Sequence, residues 1–334
     1  MSANRVKIAF GGVALSSDTI TEWLKELEEL GINVIDTAQI YGSSEEVLGN
    51  AGAASRFTID TKLPGAWGPV STKDATIELG KASLQKLKTD SVSESNPLTP
   101  SPILSNDTQV DVYYIHSPDR RVPWKETLSG LNELYKQGSF KRLGLSNFLG
   151  HEVEEVVQVA KENNFVVPTV YQGNYSAVAR RTEAELFPIL RKHNMAFYAY
   201  SPIAGGFLSK TEAQLTGDEG RFADGSPISK IYNGMYNRPS FVKALGVWEQ
   251  IAKDEGTTRA ELAYRWIVYH SKLQEDLGDA VIVGARNREQ LRETIESIKK
   301  GPLSDGAVKR IDEIWESIKD DALLDNFALT GRGA

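Results

Sequence analysis

Cysteine is absent from this chain of 334 residues, and long hydrophobic runs are absent as well. Without cysteine the chain has no disulfides, thiolate zinc sites, iron–sulfur clusters or cysteine nucleophile. No stretch approaches the ~18 apolar residues that indicate a membrane-spanning helix, and the N-terminal apolar run is too short for a signal peptide. The C-terminal residues match no lipidation or retention motif. We therefore expect a cytoplasmic protein without a membrane partner.

Basic residues are outnumbered, because 38 lysines and arginines stand against 45 aspartates and glutamates, a net charge of −7. This balance argues against a broad nucleic-acid-binding surface. Three of the four histidines, His151, His193 and His270, fall in helical stretches without metal-ligand spacing, so we expect no metal site. The length suits either two domains of ~150 residues or one closed α/β barrel of about 250 residues or more.

Eight short β-rich runs alternate with amphipathic helical stretches. The predicted strands are Val6–Phe10, Asn33–Asp36, Phe57–Lys62, Val110–His116, Arg142–Ser146, Thr169–Gln172, Ala196–Tyr200 and Ala280–Val283. The predicted helices are Thr19–Leu30, Lys73–Leu87, Trp124–Gln137, His151–Glu162, Glu183–Lys192, Ser240–Glu255, Arg259–Tyr269, Arg288–Lys299 and Asp305–Ile318. Strict alternation predicts a parallel sheet, and eight repeats favour a (β/α)8 TIM barrel, one domain over 1–334 with a C-terminal helix and tail. An open nucleotide-binding sheet is disfavoured because neither G-x-G-x-x-G nor a P-loop occurs.

Two long segments interrupt the alternation. Residues 89–109, before strand four, are rich in Ser, Pro, Asn and Thr and predict a flexible surface insertion on the face away from chemistry. The insertion has three open explanations, namely surface decoration, an interaction segment or a retained intron. Residues 205–239, after strand seven, lie on the catalytic face, where we expect them to cover a cofactor or substrate.

Polar residues follow successive strands at their carboxyl ends. Asp36, Lys62 and His116 end strands two, three and four. Each alone has a structural explanation, as a cap, a solvated cation or a satisfied core histidine. A barrel, however, directs all three toward one mouth, where Asp36 can pair with Lys62. Tyr41 lies in the loop beyond Asp36, and a lysine ammonium beside a phenol makes it a usable proton donor near neutral pH.

The motif G-x-N-V-I-D-T-A-x-x-Y-G over residues 31–42, with the contexts of Lys62 and His116, resembles the signature of the aldo-keto reductase superfamily. The segments LGLSNF, PTVYQGNY, FYAYSPIAGGFL and GDAVIVG resemble the aflatoxin-aldehyde reductase branch in particular. The resemblance extends from Lys7 to about Phe327.

This resemblance implies an oxidoreductase in which reduced nicotinamide delivers hydride to the carbonyl of an aldehyde or ketone. Tyr41 would protonate the carbonyl oxygen, Lys62 would assist Tyr41, Asp36 would hold Lys62, and His116 would orient the carbonyl. Hydride addition creates an alkoxide, which donors aimed at that oxygen stabilise.

The resemblance also implies a cofactor site. The implied cofactor-binding residues are Ser146, Asn147, Gln172, Tyr200, Ser201, Gly205, Gly206, Ser209, Lys210, Arg221, Gly284, Arg286 and Gln290. Arg286 stands beside a predicted helix N-terminus, where its guanidinium can grip a 2′-phosphate, which favours NADPH over NADH. The glycines at 205 and 206 are expected to allow close approach of the pyrophosphate.

The substrate-binding candidates are Trp67, Phe148, Met235 and Tyr236. Trp67 is explained equally well as a residue that faces the carbonyl and as a cap on the core. Mammalian relatives carry arginines near the loop after strand one, whereas FGGVALSSD has none, so a neutral aldehyde or ketone is favoured over a dicarboxylate semialdehyde.

Two other functions remain open. The chain could be a cofactor-binding regulatory subunit of the same fold, or a Schiff-base aldolase that uses Lys62. The Tyr41 partner and the Arg286 site speak against the aldolase. A homodimer is suggested by the branch resemblance alone.

Overall fold

The computed structural model describes residues 6–89, 109–215, 221–222 and 227–330. Among these residues, eight strands follow one another in chain order around a closed barrel, and each strand pairing with a described register is parallel. The predicted (β/α)8 barrel is therefore confirmed. The interior of the 89–109 insertion, two parts of the 205–239 segment and the C-terminal tail lie outside the described residues.

The strands end within a residue or two of the predicted limits. Their bounds are β1 Lys7–Gly11, β2 Val34–Asp36, β3 Thr58–Leu63, β4 Val110–Ile115, β5 Phe140–Ser146, β6 Pro168–Asn174, β7 Ala196–Tyr200 and β8 Ala280–Val283. The α-helices are α1 Ile20–Leu30, α2 Ser44–Asn50, α3 Lys73–Leu87, α4 Trp124–Lys136, α5 Gly150–Glu162, α6 Thr182–Glu185, α7 Phe187–Lys192, α8 Glu212–Leu215, α9 Pro227–Tyr236, α10 Pro239–Asp254, α11 Arg259–Tyr269, α12 Arg288–Lys299, α13 Asp305–Ile318 and α14 Phe327–Thr330.

The prediction of one continuous helix over Glu183–Lys192 is wrong. The chain breaks at Leu186, whose backbone leaves the helical region, and α6 and α7 are separate elements. Pro188 explains the break, because it has no N–H to donate and its ring disfavours a continuous helix. The short helix α2 was not predicted, since seven residues carry too little periodic signal.

The chain forms two compact units, Ala9–Tyr171 and Met1–Ile8 with Gln172–Ala334, and the prediction of one domain stays a prediction. In the first unit, Asp36 of β2 pairs in register with Asp60 of β3, and Lys62 pairs with Tyr114 of β4. Paired residues face the same side of a sheet, and so do residues two apart. Asp36, Asp60, Lys62 and Tyr114 are therefore brought to one face by register alone.

Helix α1 shows how the helices attach to the sheet. Ile20, Trp23, Leu24 and Leu27 form one buried stripe at helical spacing. Burial of each such side chain contributes roughly 1.5–3 kcal/mol, so this stripe largely determines how the helix packs. The helix ends at Gly31, whose φ of 72° lies in the left-handed region that glycine tolerates.

In the second unit, β7 and β8 pair through Tyr198 with Ala280 and Ala199 with Val281. An aromatic cluster packs after β7; it consists of Phe207, Phe222, Tyr232, Tyr236 and Phe241. No helix in the described part of the chain is both long and apolar enough to cross a membrane.

Candidate active site

Four predicted catalytic residues lie at or just beyond the carboxyl ends of three neighbouring strands. Asp36 is the last residue of β2, Lys62 is the penultimate residue of β3, and His116 follows β4 directly. Tyr41 lies in the loop between β2 and α2. All four belong to the unit Ala9–Tyr171.

Lys62 and Asp36 form a buried ion pair. The Lys62 ammonium donates to both carboxylate oxygens of Asp36, at 2.7 and 2.6 Å, and to the main-chain oxygen of Thr37 at 2.8 Å. Burial alone would lower the pKa of Lys62, but Asp36 and Tyr41 act in the opposite direction and raise it overall. Lys62 is therefore a fixed cation, and its geometry is set by three acceptors.

Tyr41 and His116 complete the cluster around this cation. The Lys62 Nζ lies 5.0 Å from the centre of the Tyr41 ring, and the rings of Tyr41 and His116 are 5.6 Å apart in an edge-on arrangement. Burial, together with the Lys62 charge, holds the pKa of His116 well below its ordinary value of 6.5. His116 is thus neutral at physiological pH, and its buried Nδ1 has no hydrogen-bond partner.

Asp60 is a further ionisable group in this region that sequence analysis missed. It is fully buried, and its Oδ1 accepts a hydrogen bond from the Val112 N–H at 3.1 Å. Burial, then the charges of Asp111 and Asp36, raise the pKa of Asp60 to about 8, so it holds its proton at neutral pH. The available signal was its place two residues before Lys62 in I-D-T-K, which puts both on one face of the strand.

The loop that carries Tyr41 is held by one buried and one partly buried hydrogen bond. Thr37 Oγ1 donates to Ser44 Oγ at 2.7 Å. Gln39 Nε2 donates to Ser83 Oγ of α3 at 2.7 Å. Neither Gln39 nor Ser83 was predicted to matter, because nothing in the local pattern connects two polar residues 44 positions apart.

A residue directly after β5 also contacts the main chain of His116. Asn147 donates to the main-chain oxygen of His116 at 2.8 Å and to Ser146 Oγ at 3.1 Å. Phe148 is fully buried, with its ring 5.5 Å from that of Trp124. Asn147 therefore contacts the main chain of His116, and Ser146 contacts Asn147. Phe148 lies in the core rather than on an open face.

Trp67 faces the site. Its ring stands edge-on to His116, with 4.8 Å between ring centres. It is only partly buried. Of the two explanations that the sequence left open, this contact favours a residue beside the carbonyl-binding position over a cap on the core.

Several predicted cofactor residues in the second unit have partners within the chain. The Tyr200 hydroxyl donates to Asn326 Oδ1 at 3.1 Å, and Ser209 Oγ donates to the Gly206 main-chain oxygen at 2.7 Å. Lys210 reaches a main-chain oxygen of α8 at 3.3 Å, and Arg221 donates to the Tyr232 hydroxyl at 3.0 Å. Gln172 is buried at the start of this unit. Ser201 has a φ of 56°, in the left-handed region.

The need for glycine at position 205 is explained by a contact within the chain rather than by the expected pyrophosphate. Its φ is 67°, and an added Cβ would lie 2.0 Å from the ring of Tyr232. The close approach that requires glycine here is therefore that of a tyrosine ring within the chain, and no phosphate is needed to explain it. Met235 and Tyr236, predicted to contact substrate, are buried in the same region, and the Tyr236 hydroxyl exchanges hydrogen bonds with Asn174 at 3.2 Å. Their contact with substrate stays a prediction.

An open groove lies at the start of α12, where the sequence predicts a phosphate-binding position. Its volume is about 270 Å³, and its lining comprises Arg286, Asn287, Glu289, Gln290 and Glu293. Two of the N-terminal amides are already satisfied, because Asn287 Oδ1 accepts from the Gln290 N–H at 2.8 Å and Gln290 Oε1 accepts from the Arg286 N–H at 2.9 Å. Gln290 is therefore first a capping residue. Among the described residues, the guanidinium of Arg286 has no ion pair, and space is open beside Gly284.

Within the described part of the chain, no group of three or more His, Asp or Glu side chains has an arrangement that could hold a metal ion.

Comparison with known proteins agrees with this geometry. The model of the aldo/keto reductase family matches residues 7–93 and 104–316. The chain is 38% identical over 303 residues to the oxidoreductase sirO of Leptosphaeria maculans, covering 90% of this chain and 87% of the relative. It is 34% identical over 304 residues to aflatoxin B1 aldehyde reductase member 2 of Rattus norvegicus, covering 87% and 78%. The chain belongs to the aldo/keto reductase family, and the resemblance read from its motifs is confirmed.

Proposed function

We propose that this oxidoreductase uses NADPH to reduce a neutral aldehyde or ketone to the corresponding alcohol, with Tyr41 as the proton donor. One observation carries the proposal: a fixed, buried Lys62 cation lies against the Tyr41 ring, and neutral His116 stands edge-on beside that ring. The proposed setting is the cytoplasm, and the homodimer suggested by the branch resemblance belongs to the same proposal.

The roles of the side chains follow from their charges. Bound NADPH would supply the hydride. Tyr41 donates its hydroxyl proton to the carbonyl oxygen, and the Lys62 cation stabilises the phenolate that remains. Asp36 holds Lys62 in place and balances its charge inside the barrel. His116, kept neutral by burial, donates a hydrogen bond that orients the carbonyl oxygen.

The residues around the proposed cofactor site fit a dinucleotide in part. Arg286 offers an unpaired guanidinium among the described residues, which suits a 2′-phosphate. In the first unit, Ser146 and Asn147 would hold the carboxamide of the nicotinamide. In the second unit, Gln172 and Tyr200 stay predicted cofactor-binding residues. Glu289 and Glu293 also line the groove beside Arg286, so selection of the phosphate depends on that arginine.

The two alternatives fare differently. A Schiff-base aldolase needs a neutral lysine, whereas Asp36 and Tyr41 keep Lys62 charged, so this alternative loses support. A regulatory subunit needs no proton donor, and the intact group of Tyr41, Lys62 and His116 favours turnover.

Consumption of NADPH with a panel of aldehydes, such as nitrobenzaldehydes, tests the proposal directly. Tyr41→Phe should bind the cofactor normally but lose about 10²- to 10⁴-fold in turnover, because it has no proton to donate. Tyr135→Phe is the matched control, since that tyrosine is exposed on α4. Full activity in Tyr41→Phe would contradict the assignment of the proton donor.

A further inference from the structure

The loop after β3, which carries Trp67, is fastened by a single arginine from the loop after β4. The Arg121 Nη2 lies within hydrogen-bond distance of three main-chain oxygens, those of Gly68 at 3.0 Å, Pro69 at 3.3 Å and Gly65 at 3.4 Å, and its two hydrogens are shared among its acceptors. Arginine suits this task because its planar guanidinium presents several fixed donors at once. These three contacts hold both ends of the turn that contains Trp67.

Asp119 orients that guanidinium. It is almost fully buried, and it accepts from the Arg121 Nε at 2.6 Å and Nη2 at 2.9 Å. Its Oδ2 also accepts from the Ser71 N–H at 2.8 Å, beyond the other end of the same loop. Burial acts to raise the pKa of Asp119, but these hydrogen bonds lower it overall, so the carboxylate stays charged.

A second contact fixes the start of the turn. Ser117 Oγ accepts from the Ala66 N–H at 3.1 Å and donates to the Pro64 main-chain oxygen at 3.2 Å. Gly65 has a φ of 63°, and an added Cβ there would lie 1.9 Å from the main-chain oxygen of Ser117. The two loops are therefore in van der Waals contact, with no room for adjustment.

The turn Gly65–Trp67 ends at the ring that stands 4.8 Å from His116. We propose that Arg121 is a positioning residue, which holds Trp67 against His116 through the main chain of residues 65–69 and so fixes the width of the carbonyl pocket and excludes water from the imidazole. Its effect on catalysis rests on the proposed function, whereas its effect on His116 can be measured without turnover.

The pKa of His116 reports whether Trp67 is held against the imidazole ring. Burial and the charge of Lys62 on β3 lower the pKa of His116, and the Tyr41 ring from the loop after β2 lies edge-on to the imidazole. Trp67 adds no charge, so it affects the imidazole by keeping water away. If the loop loosens, water reaches His116, and its pKa rises toward the ordinary value.

The first experiment is an NMR titration of the histidines in Arg121→Ala, with the His116 signal identified from a His116→Gln variant. The chain has four histidines, so the spectrum is simple. We expect the His116 pKa to rise in Arg121→Ala and to stay unchanged in Arg120→Ala. Arg120 is the matched control, because this neighbouring arginine pairs with Glu152 at 2.6 Å. An unchanged His116 pKa in Arg121→Ala would overturn the proposal.

The second experiment is kinetic. Arg121→Ala should lower kcat/KM for a bulky aldehyde by about ten- to a hundredfold, the size expected for a misplaced pocket wall. Arg121→Lys should not restore it, because a single ammonium cannot replace the Nε and Nη2 pair that binds Asp119 and reaches the loop oxygens at the same time. If Arg121 acts through Trp67, the double variant Trp67→Ala/Arg121→Ala should be no slower than Trp67→Ala alone. Additive losses would refute the proposed route.

Asp119→Asn provides a gentler version should Arg121→Ala fail to fold. Asparagine keeps the shape of the Asp119 side chain but removes the charge that orients the Arg121 guanidinium. The His116 pKa should therefore rise by a smaller amount than in Arg121→Ala. If the unaltered chain consumes no NADPH with any aldehyde, the proposed function fails, while the titration still decides whether Arg121 controls His116.

Discussion

Replacing Asp60 by asparagine tests how strongly the environment beside Lys62 perturbs a buried carboxyl group. The folded protein holds the Asp60 proton up to about pH 8, whereas the unfolded chain releases it near the ordinary value of 3.8. Between these values the folded state binds one proton more than the unfolded state. The free energy of unfolding therefore falls as the pH rises, with a factor of about ten in the equilibrium constant for each pH unit.

At pH 7 the accumulated loss from Asp60 is about 4 kcal/mol, a large fraction of a typical net stability. Asparagine cannot ionise, so the Asp60→Asn protein lacks this loss. The amide oxygen of the asparagine still accepts from the Val112 N–H. Its NH2 group, however, takes the position of Oδ2, which has no hydrogen-bond partner, and these unsatisfied donors cost about 1–3 kcal/mol. We expect Asp60→Asn to be more stable than the parent at neutral pH.

Urea unfolding of both proteins between about pH 5 and pH 9 provides the measurement, and the difference between them cancels all other titrating groups. The advantage of Asp60→Asn should grow with pH and level off above about pH 8. Two parallel stability curves, or an advantage that shrinks as the pH rises, would show that Asp60 is not held protonated by the fold.

Two further predictions concern a turn and the cofactor groove. Gly65→Ala should destabilise the protein by more than about 3 kcal/mol, because the new Cβ meets the Ser117 main chain and φ is positive. Gly52→Ala is the control, with a φ of 65° and open space, and should cost about 1 kcal/mol in the same urea assay. Arg286→Ala should weaken NADPH binding about 10- to 100-fold but NADH binding little, whereas Arg288→Ala should affect neither strongly. Equal losses for both cofactors would exclude a role specific to the 2′-phosphate.

The strand positions, and the meeting of Asp36, Lys62 and His116 in one region, could be predicted because both depend on local pattern. Short apolar runs separated by amphipathic helices define parallel strands, and the ends of such strands meet at one mouth whatever the packing details. Asp36, Lys62 and His116 were therefore found from their places at strand ends. Tyr41 was found from its place in the loop that follows one of them.

Local pattern failed where a single residue or a distant partner decided the outcome. Pro188 divided a stretch whose periodicity indicated one helix. Gly205 was expected to admit a phosphate, but the residue that comes close to it is Tyr232, 27 positions away and identifiable only from the folded chain. Gln290 was expected to bind the cofactor. Its side chain accepts from the Arg286 N–H just before its own helix, and its contact with the cofactor stays a prediction.

The sequence by itself determined the fold class, the family and the chemical types of the proposed catalytic side chains, because periodicity and motif spacing are properties of neighbouring residues. Only the tertiary structure decided which charges meet and how far each is removed from water. Burial at one strand register keeps Asp60 protonated, and a contact between two loops places Arg121 against the main chain on either side of Trp67. Desolvation and long-range hydrogen bonds depend on positions in space, and no local pattern along the chain encodes them.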